Sequence, residues 1–521
     1  MPNFPPIILG IAFAALVVAL SALARRLPVP TPILQLVAGL IIGLSPIVAI
    51  PDLDPDLIFF VFLPPILWSA AMFTSPREFG RNFGSIGTLA VGLVLVTTIV
   101  VAIAAHALMP GMPWAVAFAL GAIVSPPDAV AATAIVSRLP VPRRVITILE
   151  GESLVNDASA LVLYRTAVAA AVIGKFSWGE SVVRFFIDAG IGVLIGLLVG
   201  WLIIRAACWT KDALAETLLT LAGPYVAWLS AESVHVSAVL ACVAGGLYVQ
   251  QKISIAVAPG SRLEIRMVWD LLIFLLNAGV FLLLGTQFGT LLAGLSGQSI
   301  LHVIRIGVII SLVAVIARLI WVPVVTFLRG LRSGAQRAPT RWKRVFLVSW
   351  TSMRGVVSLA TALALPRVLA DGSPCPFRTE IILITMCVIV VTLFVQGLSL
   401  APIIRLFRFE PEQQHQEEER LARREATRRG AEALEDLAHE DWADPRDVAV
   451  LRAEVHERAR MTDQRGGNHV GRRRLRLGMI AAERRMLIRL RNEGAISDDV
   501  LRVLEQELDL ESVRVGAGDE R

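Results

Sequence analysis

The sequence predicts an all-α membrane protein with about thirteen transmembrane helices in inverted repeats, two of them broken, plus a soluble helical C-terminal tail. Three observations carry that prediction. Apolar residues make up 55% of the chain and charged ones 18%, at a mean hydropathy of +0.68. Apolar stretches of roughly 17–25 residues, the length that crosses a bilayer, recur from Ile7 to Ile404. From residue 409 the chain becomes rich in Arg and Glu and loses these runs, which divides it into a membrane domain (1–408) and a tail (409–521).

The first stretch, Ile7–Leu23, has no basic region before it and no small-residue cleavage pattern after it. It reads as a retained span, not a signal peptide. The thirteen spans are 7–25, 31–49, 56–73, 84–109, 113–137, 145–174, 183–206, 213–231, 235–250, 266–288, 300–329, 345–365 and 379–405. Their connections alternate in charge. One set holds Arg25, Arg26, Arg77, Arg81, Arg138, Arg143, Arg144, Arg205, Lys211, Lys252, Arg262 and Arg266, then Arg329, Arg332, Arg337, Arg341, Lys343 and Arg344. The other holds only Lys175, Arg184, Arg367 and Arg378, with Asp52, Asp54 and Asp56. The positive-inside bias places the basic set in the cytoplasm. The N-terminus then lies outside and the tail inside, in the cell's inner (plasma) membrane.

Orientation also accounts for the pI near 9.5 without nucleic acid. The cysteines (Cys208, Cys242, Cys375, Cys387) are scattered and form neither a disulfide framework nor a zinc spacing.

Two spans are interrupted. Span five reads Ser125-Pro126-Pro127-Asp128, and consecutive prolines at mid-helix remove amide donors and clash with the preceding turn. Span twelve carries Thr351-Ser352-Met353-Arg354-Gly355 inside an apolar run. Backbone broken at membrane depth persists only where protein or a water-filled cavity satisfies it. Broken helices in corresponding positions of two inverted halves point to the substrate site of a secondary transporter.

Span six opens with Glu150-Gly-Glu152-Ser153-Leu-Val-Asn156-Asp157. Charged groups at bilayer depth mark ion pathways and proton relays. Ser153, Asn156 and Asp157, at i, i+3 and i+4, share one helical face, with Glu150 a turn nearer the cytoplasm. Hydroxyl, amide and carboxylate oxygens are hard ligands that suit Na⁺ or a similar small cation. Burial favours the neutral form of an acid, so one carboxyl can trade a proton for a cation. Glu152 and Arg354 are expected to pair, since neither stays buried alone. Asp128 reads either as an ion contact through water or as the neutraliser of helix N-termini meeting at the breaks.

These segments, with Met353-Arg354-Gly355, Ala231–Leu240 and Leu276–Gly285, resemble the sodium/proton antiporters of the monovalent cation:proton antiporter-1 family, over about residues 7–405. The resemblance implies thirteen helices, a six-helix core bundle, a dimerisation domain and a homodimer, with no cofactor beyond the transported ions. It implies Asn156 and Asp157 as the family's Asn-Asp pair, with the aspartate binding both ion and proton. Ser153 is then a ligand and Glu152–Arg354 a structural pair. An Asn at the first position resembles electroneutral exchange. Two positions depart from the pattern. Ser69 stands where many relatives have an acid after Leu63-Pro64-Pro65, and Pro127, which keeps a carbonyl for Na⁺, stands where Thr is common.

The expected function is therefore alternating-access exchange of Na⁺, with Li⁺ admitted, for H⁺. The alternatives are K⁺/H⁺ exchange and, more remotely, a cation channel. An intramembrane aspartyl protease would need Gly-x-Gly-Asp and Tyr-Asp segments on adjacent membrane helices, and neither occurs in the spans. Arg318 in span eleven needs a partner the sequence does not name. Asn277 is expected to hydrogen-bond a neighbouring helix, Arg165 to reach the outer interface, and His235 to be solvated or to line a cavity. The tail reads as charged helices from Glu410, broken at Gly466-Gly467-Asn468, with a Ser497-capped last helix after Ile496.

Overall fold

The computed structural model describes residues 6–27, 29–45, 55–136, 139, 141–173, 178–293, 297–333, 341–369, 372–409, 413–440, 442–463, 469–493, 495 and 497–516. Asp52, Asp54, Arg138, Lys175, Arg337, Glu410, Ile496 and the Gly466-Gly467-Asn468 break lie outside the described residues. Among the described residues the fold is helical, with one isolated β-bridge between Val368 and Pro374.

Two compact units emerge, Met1–Pro411 and Glu412–Arg521. The first contains α1 (Pro6–Arg26), α2 (Thr31–Leu44), α3 (Pro55–Phe73), α4 (Pro76–Gly87), α5 (Val94–Leu108), α6 (Trp114–Val124), α7 (Ala129–Val136) and α8 (Arg143–Ile173). It continues through α9 (Trp178–Thr210), α10 (Ala213–Ser233), α11 (Ala238–Ala256), α12 (Pro259–Ala293), α13 (Gly297–Ser333), α14 (Arg341–Trp350), α15 (Val356–Leu363) and α16 (Arg378–Phe407). A π-helical stretch, Thr88–Leu93, joins α4 to α5.

Among the described residues, six helical stretches are long and apolar enough to cross a membrane: Gly84–Leu108, Phe186–Thr210, Ala238–Ala256, Pro259–Leu291, Ile300–Arg329 and Arg378–Phe407. Shorter apolar helices cover Gly10–Ala24, Thr31–Leu44, Phe60–Phe73 and Trp114–Val124. The 31-residue α8 is long enough as well, but it carries the charged groups singled out above. Outward-facing Phe186, Leu194 and Leu198 of α9 and Leu312 and Ile320 of α13 are more than half exposed. A helix apolar on its outer side as well as its inner one belongs in hydrocarbon.

Glycines allow two of the tightest helix pairs. Gly39 and Gly43 of α2 face Gly285 and Gly289 of α12, where any Cβ would run into the opposite backbone. Gly192 and Gly196 of α9 do the same against Ser237 and Ala241 at the start of α11. Small residues one turn apart let backbones approach closely, which gives dispersion contact where no hydrophobic effect drives helices together.

The second unit contains α17 (Gln413–Leu437), α18 (Pro445–Asp463), α19 (His469–Asn492) and α20 (Asp498–Gly516), with α17 packed on α18 and α19 on α20. Arg452 clasps Glu435 at 2.8 and 2.6 Å across the first pair, and Arg476 and Arg484 reach Glu511 and Asp509 across the second.

Candidate functional site

Both expected interruptions are present, and they meet. Helix α6 stops at Val124 and α7 begins at Ala129, after the two prolines. Helix α14 stops at Trp350 and α15 begins at Val356, leaving Thr351–Gly355 buried and non-helical. The Asp128 amide donates to the Met353 carbonyl at 2.7 Å, which joins one break to the other. Helix α16 holds the second break in place. Gln396 Oε1 accepts from the Ser352 amide at 3.1 Å, and Thr392 Oγ1 accepts from the Arg354 amide at 3.2 Å.

Charges sit where the helix ends need them. Arg354 Nε donates to the Val124 carbonyl at 2.6 Å, the last residue of α6, and its Nη1 donates to the carbonyl and hydroxyl of Ser352. Arg318 Nε donates to the Val348 carbonyl in the last turn of α14 at 3.1 Å. A cation is favourable at each carbonyl end and an anion at each amide end. Asp128 immediately precedes α7 and lies against Gly355, which immediately precedes α15.

The expected Glu152–Arg354 pair is not what the structure contains. Glu152 binds Arg318 in a two-pronged pair, Nη1 to Oε1 and Nη2 to Oε2 at 2.7 Å, with both side chains 1% exposed. Arg354 instead spends its donors on the Val124 carbonyl and on Ser352, and feels the Glu152 charge without a hydrogen bond to it. Arg318 thereby gains the partner the sequence did not name.

A cavity of about 460 Å³ opens at the crossing. Pro127, Asp128, Glu150, Ser153 and Asp157 line one side, with Ser69 of α3 and Thr74 just beyond its end. Asp157 is 6% exposed. The Ser69 hydroxyl donates to the Ile66 carbonyl at 3.0 Å and keeps its acceptor lone pairs. Asn156 is fully buried and takes a different task. Its Nδ2 donates to the Pro127 carbonyl at 3.1 Å, tying α8 to the span-five break, and it does not line the cavity.

Helix α12 adds Asp270 and Asn277 to the cavity wall, with Ile273 between them. Sequence reasoning assigned neither to the site, although polar residues at i and i+7 inside an apolar run mark one helical face. Asn277 Oδ1 is buried with no hydrogen-bond partner among the described residues. Elsewhere, Arg165 pairs with Glu232 at 3.5 Å with both half-exposed, and His235 is exposed at a left-handed φ of 57°.

Comparison with known proteins now decides the family. Residues 11–406 match the family model described as "Sodium/hydrogen exchanger, transmembrane". The chain belongs to the sodium/hydrogen exchanger family. The family is one of transporters, not enzymes. A Mycobacterium tuberculosis (strain H37Rv) Na⁺/H⁺ exchanger is 34% identical across 97% of this chain and 95% of its own length. A Bacillus subtilis sodium, potassium, lithium and rubidium/H⁺ antiporter is 33% identical across 74% of this chain and 60% of its own length. In fold, the exchanger is similar to the Methanocaldococcus jannaschii sodium proton antiporter MjNhaP1. The match has a TM-score of 0.58 and 19% identity, covering 77% of this chain and 98% of that one.

Proposed function

We propose that this exchanger trades one monovalent cation, Na⁺ foremost and Li⁺ next, for one proton by alternating access, with Asp157 as the shared binding acid. The observation that carries the proposal is the cavity lined by Asp157, Ser153, Asp128 and Pro127 beside two joined helix breaks. Carboxylate, hydroxyl and carbonyl oxygens are hard donors for a small cation. A carboxylate taken out of water is costly as a bare charge, so Asp157 holds either a proton or a cation. Exchange follows if the empty charged form does not cross between the two faces. Asn156 cannot titrate and holds Pro127 in place, which supports a single exchanging acid and electroneutral 1:1 stoichiometry.

The proposal extends to thirteen spans in inverted halves, a homodimer, a plasma-membrane location with the N-terminus outside, and a cytoplasmic tail. The charge alternation of the loops supports this orientation. K⁺/H⁺ exchange is the second reading, favoured by the potassium and rubidium among the cations of the Bacillus subtilis relative.

The test is a pH-jump assay in proteoliposomes with Na⁺, Li⁺ or K⁺ added, on the native chain and on Asp157→Asn. Cation-evoked proton release by the native chain and none by the variant is the expected result. Coupled exchange that survives in the variant overturns the assignment. A membrane potential built up during exchange overturns the 1:1 stoichiometry.

A further inference from the structure

We infer that Gly355 is a positioning residue: its missing side chain makes the seat that fixes the Asp128 carboxylate in the cation pathway. The inference rests on the exchange reading above. Gly355 has φ −147° and ψ −143°, at the margin of the extended region and far from the left-handed one, and the first obstacle to a side chain there is space. A Cβ at 355 would overlap the Asp128 carboxylate and stand 2.7 Å from the Asp128 Cβ. Rotating the carboxylate away would therefore not suffice, because the Cβ would remain too close.

The strain has to fall on Asp128. The segment carrying Gly355 cannot withdraw, since Gln396 and Thr392 of α16 hold the Ser352 and Arg354 amides and Arg354 holds the Val124 carbonyl. On the other side, Asp128 lines the cavity together with Asp157. A methyl group at 355 thus pushes one acid of the cavity away from its place without touching the other. Cation binding should weaken while the turnover step is spared.

The experiment uses full-length protein in proteoliposomes, comparing the native chain, Gly355→Ala, Asp128→Gly and the double variant. For Gly355→Ala, the Na⁺ concentration for half-maximal exchange should rise roughly tenfold, the scale of one lost contact to a charged group, with maximal rate changed less than about twofold. In the Asp128→Gly background, which removes both clashing groups, the same substitution should add nothing. Equal effects in both backgrounds overturn the inference, because residue 355 would then act without Asp128. An unchanged half-maximal concentration in Gly355→Ala overturns it too. If Gly355→Ala fails to accumulate, a double variant that accumulates supports the seat, and one that fails as well overturns it. Melting of the solubilised protein judges the seat independently of transport. Gly355→Ala should lower the midpoint in the native background only; an equal drop beside Asp128→Gly overturns the inference. Absence of exchange in the native chain would defeat the functional reading and leave this melting comparison to decide the seat.

Discussion

Arg318 and Arg354 are both arginines inside apolar runs, and the structure gives them different kinds of partner. The Glu152–Arg318 pair is dry, so removing one member strands the other charge, at a cost of about 3–5 kcal/mol. Arg318→Met should therefore lower the melting midpoint strongly, and Glu152→Gln added to it should recover most of the loss. A double variant no more stable than Arg318→Met would contradict the pairing. Arg354→Met leaves the Glu152–Arg318 pair in place, so a second change at Glu152 should recover far less of its loss. Glu152 and its need for a cation were legible in the sequence, but the choice between arginines was not. The acceptors that satisfy Arg354 are backbone carbonyls freed by the helix breaks, and carbonyls leave no residue-type signature. The polar run of span six placed Asp157 and Ser153 at the cavity, whereas Asp270 and Asn277 sit in a helix whose facing direction depends on its neighbours.

At the scale of elements, the two interruptions were readable because proline chemistry is local: Pro126 and Pro127 stop a helix whatever surrounds them. Helix pairing is not local. Gly39 and Gly43, and Gly285 and Gly289, carry the spacing of close-packed membrane helices, yet nothing in the chain says that α2 meets α12. The contact makes a prediction. Gly285→Ala, whose Cβ would meet the Leu36 carbonyl, should cost about 1–3 kcal/mol by overpacking. Gly190→Ala on α9, where no atom lies within 4 Å, should be neutral or slightly stabilising. Melting curves in detergent check both, and an equal response at the two positions would argue against close α2–α12 approach.

At the scale of the whole molecule, the chain divides into two compact units, Met1–Pro411 and Glu412–Arg521. The tail is held by exposed ion pairs. The hydrogen bond from Arg452 holds the Glu435 carboxyl below its usual range, and Arg428 does the same to Glu425. A depressed carboxyl contributes stability that is complete above the ordinary carboxylate range and is lost as pH falls through the lowered value. Amide hydrogen-exchange protection factors in α17 and α18, with the intrinsic pH dependence of exchange divided out, should therefore stay constant across neutral and mildly acidic pH and fall only below the usual range of Glu. High salt should loosen the same helices, because exposed pairs are screened. The make-up of the site gives the remaining prediction. Every described residue lining the cavity, and every described group that ties α6 and α7 to α14 and α15, belongs to the first unit. A chain ended after Pro411 should then retain cation-coupled proton movement, with the half-maximal Na⁺ concentration within about twofold of the full chain. The proteoliposome assay reads this directly. A truncated chain that is folded and reconstituted but silent would mean that the tail supplies part of the transport machinery rather than an appendage to it.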